Sequence, residues 1–420
     1  MQSKTFNIIS LGCKVNSYEC GAVSAIFFEN GWLENEIDPE VYIINTCSVT
    51  STADQKSRQH IRAFKEKHPD CIVVVMGCYA QKAHKFIIDS LGADIVTGTS
   101  HKNQIYDFVM QFKKDHIKHD YADSDVFKFD YEEICQTAYC ENVRAYLKIQ
   151  DGCSNFCTYC LIPYLRGKMR SRDFSQIIKE AHEIVSKGYQ EIVLTGIHVG
   201  GYGKDLKDHS FYDVVNELTK IDGLKRITIS SIEESEIGDD LISLYKSAPN
   251  MAHHIHIPLQ SGSKAVLEMM NRHYNKTGFL TTIKKLKQAC PDIAITTDVI
   301  VGFPGETDEM FEETVNFIKE VGFAQLHVFP YSLREGTVAA KLPNQIDPKI
   351  KKARAKVLRD LSNELFNDFS NQFKGQTLDV LVESCDEEKN ICYGHTSNYI
   401  NISFKGDKEL INKIIPVKFE

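Results

Sequence analysis

The 420-residue chain has no excess of positive charge: 49 Lys and Arg face 57 Asp and Glu, a formal net charge of −8. Holding nucleic acid by the overall field is thereby excluded, and any RNA contact must use local basic patches. No apolar run approaches the roughly 20 residues of a membrane-spanning helix, so no membrane partner is expected. No secretion signal is legible either, because Met1-Gln2-Ser3-Lys4 leads directly into an apolar strand pattern. The glycine clusters GGYG (200–203) and GFPG (302–305) match neither a phosphate loop nor a dinucleotide fingerprint, which excludes a nucleoside-triphosphate site. Cysteine, by contrast, is plentiful. Thirteen of them without a secretion signal imply a reducing, cytoplasmic setting in which thiols serve as metal ligands. Hydrophobic residues at 42% and charged residues at 25% describe a globular protein, and the length calls for two or three domains.

Three of the cysteines, Cys153, Cys157 and Cys160, fall in C-x3-C-x2-C spacing within CSNFCTYCLIPYLRGKMRSR. Thiolates packed this closely on one loop suit a cubane iron–sulfur cluster. Zinc would want a fourth protein ligand at comparable spacing, and no His or Cys follows closely. Three ligands leave one iron open to a small molecule, the condition under which S-adenosylmethionine is chelated through its amino and carboxylate groups and reductively cleaved.

From Phe6 to about Met110, buried strand patterns (FNIIS, VYIINT, CIVVVM) alternate with helical ones, predicting a small doubly wound α/β domain. Cys13, Cys47 and Cys78 each follow one of these strands. In an open parallel sheet that is the ligand-binding edge, so three distant thiols are expected to converge there. Cys20 and Cys71 read as small buried hydrophobes, Cys135 and Cys140 as structural thiols, and 115–133 as a polar linker or surface loop.

From Arg144 onward six strand patterns, each followed by a loop or helix, predict a partial (β/α)6 barrel with its site at the carboxyl ends of the strands. His254 and His256 read as packing or hydrogen-bonded residues. Arg166, Lys168, Arg170 and Arg172 form one basic patch, and Lys349, Lys351, Lys352, Arg354, Lys356 and Arg359 another on a long amphipathic helix. From about Gly375 the period becomes two, predicting a small β-barrel. The expected domains are 1–135, 136–373 and 374–420.

Ten phrases carry a resemblance across 6–420: LGCKVN, NTCSVT, MGCYAQ, DGCSNFCTYC, RGKMRSR, GIHVGGYG, SSIE, HIPLQSGS, DVIVGFPGET and FPYSLREGT. Together they resemble the methylthiotransferase family of the radical S-adenosylmethionine superfamily, with a TRAM-like barrel at the C-terminus. The resemblance implies two [4Fe–4S] clusters, the second held by Cys13, Cys47 and Cys78 and also with an open iron. It implies S-adenosylmethionine contacts from Tyr159, Thr195, Gly196, Ser231, Glu233, Gln260, Ser261, Asp298 and Val299. One S-adenosylmethionine would methylate a sulfur on the second cluster; another would yield the radical that abstracts the adenine C2 hydrogen.

LGCKVN resembles the branch acting on N6-threonylcarbamoyladenosine at position 37, beside the anticodon. The isopentenyladenosine branch carries a Tyr-Gly-Cys-Gln-Met-Asn phrase there, and a third branch acts on a ribosomal-protein aspartate. The implied partners are a tRNA anticodon stem-loop, an electron donor such as flavodoxin or ferredoxin, and a sulfur source. The four residues of the first basic patch would meet phosphates, and Arg334 would meet the threonylcarbamoyl carboxylate or pair with Glu335. The non-enzymatic alternative is an RNA-binding iron–sulfur scaffold.

Overall fold

The computed structural model describes residues 4–136 and 143–420, so Cys140 lies outside the described residues. By packing, the chain divides into two compact units. The first takes in 4–136, Lys148–Phe156 and Cys160–Asp173; the second takes in 143–147, Cys157–Tyr159 and Phe174–Glu420.

The first unit opens with β1 (Thr5–Ser10), α1 (Lys14–Glu29), β2 (Leu33–Glu34), β3 (Val41–Thr46) and α2 (Ser51–Lys67). There follow β4 (Ile72–Gly77), α3 (Cys78–Ser90), β5 (Ile95–Gly98), α4 (Ile105–Asp115) and β6 (His119–Asp120). The six strands form one parallel sheet in the order β2-β1-β3-β4-β5-β6. Strand side chains alternate between faces, so each strand feeds two cores. Phe6, Ile8, Ile43, Val74 and Met76 pack with Cys20, Val23 and Phe27 of α1 and with Ile105 and Val109 of α4. Ile44, Val73 and Val75 pack on the other side with Ile61 of α2, Ile87 of α3 and Cys71. This is the expected doubly wound arrangement. The expected linker at 115–133 differs: β6 pairs with β5, because Ile95 and Val96 still offer a free sheet edge, and Val126 is buried with its carbonyl against Gly167.

Strand β7 (Ala145–Asp151) begins in the second unit and ends in the first. In the first unit it is followed by the short α5 (Ile162–Arg166) and by β8 (Arg170–Ser171), which pairs antiparallel with Gln150 and Asp151.

The second unit continues with α6 (Phe174–Ser186), β9 (Glu191–Gly196), α7 (Phe211–Leu218), β10 (Arg226–Ile229), α8 (Asp239–Ser247) and β11 (His254–His256). Next come α9 (Lys264–Met269), α10 (Lys276–Ala289), β12 (Ala294–Val301), α11 (Asp308–Val321), β13 (Gln325–Pro330) and α12 (Pro348–Asn371). Strands β9 and β10 pair in parallel, as do β11, β12 and β13, and a parallel bridge at Ile227–Met251 links the two groups. His254 and His256 both bond the Thr296 hydroxyl at 3.0 Å, as the packing reading expects.

The chain ends in β14 (Thr377–Asp386), β15 (Ile391–Thr396), β16 (Asn401–Lys405) and β17 (Ile414–Lys418), antiparallel in the order β16-β15-β14-β17 around Val380, Ile400 and Ile402. Cys385 and Cys392 face each other across β14 and β15 and are joined as a disulfide. This pairing differs from the reduced thiols that the cysteine content implies. Among the described residues no helix is long and apolar enough to cross a membrane.

Glu191 at the start of β9 is fully buried, with Arg226 Nη1 at 3.3 Å, His395 Nε2 at 3.2 Å and a bond from the Thr228 hydroxyl at 2.8 Å. Burial alone would raise its pKa; His395, Arg226 and Arg144 outweigh this and hold the carboxyl at about 2 against an ordinary 4.5. A depressed carboxylate contributes stability that is complete above its unfolded pKa and fades as pH falls toward the folded one. Here that is about 3 kcal/mol, lost between roughly pH 5 and 2. Denaturant unfolding across this window should therefore be less pH-dependent in Glu191→Gln than in the wild type. Equal pH dependence would contradict the assignment.

Candidate functional site

Strands β1, β3 and β4 are adjacent and parallel, so their carboxyl ends present Cys13, Cys47 and Cys78 along one edge of the first unit. Cys47 and Cys78 respond to the neighbouring thiols. Burial, then Cys78 and Cys13, push the Cys47 thiol up to about 11. Burial and Cys13 push Cys78 up, and the Arg166 cation pulls it back down. The edge is fixed by side-chain amides: Asn16 Nδ2 donates to Asn45 Oδ1 (2.6 Å) and to Thr46 O (3.2 Å), and Asn45 Nδ2 donates back to Asn16 O (3.1 Å). Asn16 Oδ1 lies 3.2 Å from Cys13 Sγ. Gly77, with φ +96°, makes the turn into Cys78, and a Cβ there would stand 2.4 Å from both Asn45 Oδ1 and Thr46 O.

Behind this edge lies a buried ion cluster that sequence reasoning missed. The Arg166 Nε donates to Cys78 Sγ (3.3 Å), while its Nη atoms reach Glu19 (2.9 and 3.2 Å) and Asp151 (3.1 Å). Lys148 Nζ joins Glu19 (3.1 Å) and Asp151 (2.7 Å), Lys102 lies 3.6 Å from Glu19, and Arg170 lies 3.7 Å from Asp151. Burial would raise both carboxyl groups, yet the four cations hold them well below the usual carboxylate range. Counting Glu132 on Lys102 (3.4 Å), four cations face three carboxylates, so the cluster carries one net positive charge next to Cys78.

The expectation that Arg166, Arg170 and Arg172 meet phosphates is corrected by this burial. Arg172 bonds Glu133 (Nε to Oε1, 2.7 Å) and the Tyr18 hydroxyl (3.2 Å), and Arg170 donates to Arg166 O (2.6 Å). Only Lys168 of that patch is exposed. In the second patch Arg354 is buried against Glu306 (2.6 Å) and Asp308 (2.7 Å), and Lys351 lies over the Tyr331 ring at 4.9 Å. Lys349, Lys352, Lys356 and Arg359 are exposed. Arg334 is buried rather than open.

The run holding Cys153, Cys157 and Cys160 is irregular backbone after β7. In the first unit Cys153 N bonds Gly167 O (3.1 Å), and Ile162 N points at Cys160 Sγ (3.4 Å). In the second unit Arg272, also missed, grips Glu233 with both Nη atoms, and its Nη1 lies 3.7 Å from Cys157 Sγ. Thr158 is pinned by its N to Met270 O (3.0 Å) and its hydroxyl to Met269 O (2.8 Å). Tyr159 packs on the cluster of Val266, Met270, Phe303 and Tyr331. An N–H donor thus aims at a sulfur in each set, and such donors favour thiolate over thiol.

The remaining predicted residues belong to the second unit, at or past strand ends except Asp298 and Val299, which lie within the carboxyl half of β12. Thr195 and Gly196 end β9; Ser231 and Glu233 follow β10, with Glu233 committed to Arg272. Gln260, with φ +60°, is stitched to β12 through Asp298 O and Ile300 N, both at 2.8 Å, beside the buried Val299. The buried Ser261 hydroxyl is engaged with Thr314 (3.2 Å), and Asp298 with His256 (3.4 Å).

Replacing Arg166 with Leu removes the one guanidinium that Glu19 and Asp151 share and leaves them to Lys148, Lys102 and Arg170, which should cost on the order of 3 kcal/mol. Lys168→Ala, on the surface, should stay within about 0.5 kcal/mol of wild type. Urea unfolding of both variants checks this, and a near-neutral Arg166→Leu would contradict the ion cluster.

Residues 147–318 match the Radical SAM superfamily, and residues 5–98 match an uncharacterized protein family, UPF0004. The chain is 45% identical to the threonylcarbamoyladenosine tRNA methylthiotransferase MtaB of Bacillus subtilis (strain 168), covering 97% of this chain and 92% of that protein. It is 35% identical to the tRNA-2-methylthio-N(6)-dimethylallyladenosine synthase of the same organism, covering 99% and 84%. A solved structure of the radical S-adenosylmethionine methyltransferase TsrM from Kitasatospora setae shares the fold at a TM-score of 0.58 and 11% identity, over 78% of this chain and 75% of that one. With sequence identity of this extent and both sets of three cysteines in place, the chain belongs to the methylthiotransferase family of radical S-adenosylmethionine enzymes.

Proposed function

We propose that the chain converts N6-threonylcarbamoyladenosine at position 37 of tRNA to its 2-methylthio derivative, acting at adenine C2. One observation carries the choice of substrate. Against two proteins of a single organism, identity is 45% to the one named for threonylcarbamoyladenosine and 35% to the one named for dimethylallyladenosine. The domains assigned to this work are 1–135, 136–373 and 374–420.

Two sets of three thiols would hold two [4Fe–4S] clusters: Cys153, Cys157 and Cys160 one, and Cys13, Cys47 and Cys78 the other. The donor chemistry fits, because Arg166 and Arg272 already direct N–H groups at cysteine sulfurs and offset thiolate charge. When bound, the clusters and S-adenosylmethionine supply the one-electron, methyl and sulfur chemistry.

The chain's own part is to bind, orient and exclude water. Tyr159, Thr195, Gly196, Ser231, Gln260, Asp298 and Val299 frame the S-adenosylmethionine side, with Glu233 and Arg272 as one fixed pair. Arg334 would supply a cation for the threonylcarbamoyl carboxylate where the substrate carries that group into the enclosed position Arg334 occupies, since a buried carboxylate without a partner is expensive. Lys168 and the exposed cations of α12 are the candidates for tRNA phosphates. An electron donor and a sulfur source complete the partners.

Anaerobic reconstitution should load about eight irons, four per cluster. Replacing either cysteine set with Ala should halve that. A full iron complement in the Cys13/Cys47/Cys78 variant would overturn the second cluster.

Substrate choice is tested on anticodon stem-loops carrying threonylcarbamoyl or isopentenyl adenosine. The wild type should favour the former, and Arg334→Ala should lose mainly that preference. Equal turnover of both stem-loops by the wild type would defeat the branch assignment. An unaltered preference in the variant would clear Arg334 alone.

A further inference from the structure

Three aromatic rings of the first unit stand in water: Phe127, Phe156 and Tyr164 are 43%, 42% and 45% exposed. They are neighbours. Phe127 and Phe156 lie 6.5 Å apart, centroid to centroid, and within 15° of parallel; Phe156 and Tyr164 lie 5.9 Å apart, edge to face. We infer that this trio is a stacking platform for unpaired bases of the substrate RNA, set beside the cluster loop. The inference rests on the tRNA reading above and adds a binding surface to it.

The backbone is built to present the rings. Val126 is buried, and its carbonyl presses against Gly167, where a Cβ would stand 2.0 Å from Val126 O. Gly167, at φ +76°, is thus required by close approach, and its own carbonyl accepts Cys153 N. One glycine therefore clamps the 126–128 turn, the cluster loop and the end of α5 together. Leu161 and Leu165 pack down on Cys78, and the Thr99 hydroxyl bonds Leu165 O (2.7 Å), which fixes α5 with Tyr164 outward. Phe156 adopts φ +47°, a left-handed conformation that a bulky side chain rarely takes and that the surrounding loop must enforce.

Chemistry selects the occupant. Contiguous exposed rings mark a surface that another molecule covers. Aromatic faces accept any base by stacking, and single-stranded loops are where bases are free to splay out. Lys128, exposed and paired with Asp125 at 3.1 Å, adjoins Phe127, and the exposed Lys168 adjoins Gly167; both offer positive charge to phosphates within an otherwise acidic chain.

The test measures binding of reconstituted full-length enzyme to an anticodon stem-loop RNA at several salt concentrations. Tyr164→Leu and Phe127→Leu, outside the cysteine run, should each weaken binding about tenfold. Their salt dependence should match wild type because no phosphate contact is removed. Phe156→Leu should do the same while retaining its iron. Iron content equal to wild type shows that the loop is intact, and the two outer variants stand alone if Phe156→Leu loads poorly. Unchanged affinity in both outer variants, or an equal loss on a duplex without a loop, would overturn the platform. Failure of the wild type itself to bind the stem-loop would instead overturn the tRNA reading.

Discussion

A guanidinium removed from water organises the first unit. Arg166 is fully buried, a state that is costly unless every face of the ion is matched. Its two Nη atoms take Glu19 and Asp151, and its Nε takes Cys78. The first two contacts tie α1, the end of β7 and α5 together, and the third commits a cation to a thiol. A sulfur ligand buried as deeply as Cys78 would resist ionisation, as its raised pKa shows. The neighbouring charge is what makes a buried thiolate tolerable there, so structural and functional demands meet in one side chain.

The second constraint is topological. Within the first unit β1 to β6 run parallel, and within the second β9 to β13 do, so in each set the carboxyl ends share an edge where loops from distant parts of the chain assemble. Cys13, Cys47 and Cys78 are separated by tens of residues, yet Cys47 and Cys78 directly follow β3 and β4, and Cys13 lies three residues past the neighbouring β1. Gly77 and the Asn16–Asn45 amide pair show how closely that edge is fitted, since a single added methyl group would strike Asn45 and the Thr46 carbonyl.

Much of this was legible in the sequence because it is local. Buried strands declare themselves as apolar runs, and a cysteine immediately after such a run inherits its address; Cys20 and Cys71 likewise sit in the two cores. What stayed hidden depends on partners far away. The run Arg166–Arg172 reads as a solvated basic patch, whereas its partner Glu19 is 147 residues away and sits on a helix with no sign of unusual burial. Arg272 meets Glu233 across 39 residues and Cys157 across 115. The pairing of Cys385 with Cys392 needed the β14–β15 register. The positive φ of Phe156 has no sequence signal, since the residue is not glycine, asparagine or aspartate.

The central proposal is that this fold delivers a methylthio group to threonylcarbamoyl-modified adenosine in tRNA. Nucleoside mass spectrometry of tRNA from cells lacking the gene, with and without the chain restored, tests that most directly. In the deletion strain 2-methylthio-N6-threonylcarbamoyladenosine should disappear and its unthiolated precursor accumulate, and restoring the chain should reverse both. Loss of the isopentenyl counterpart instead, or an unchanged nucleoside profile, would contradict it.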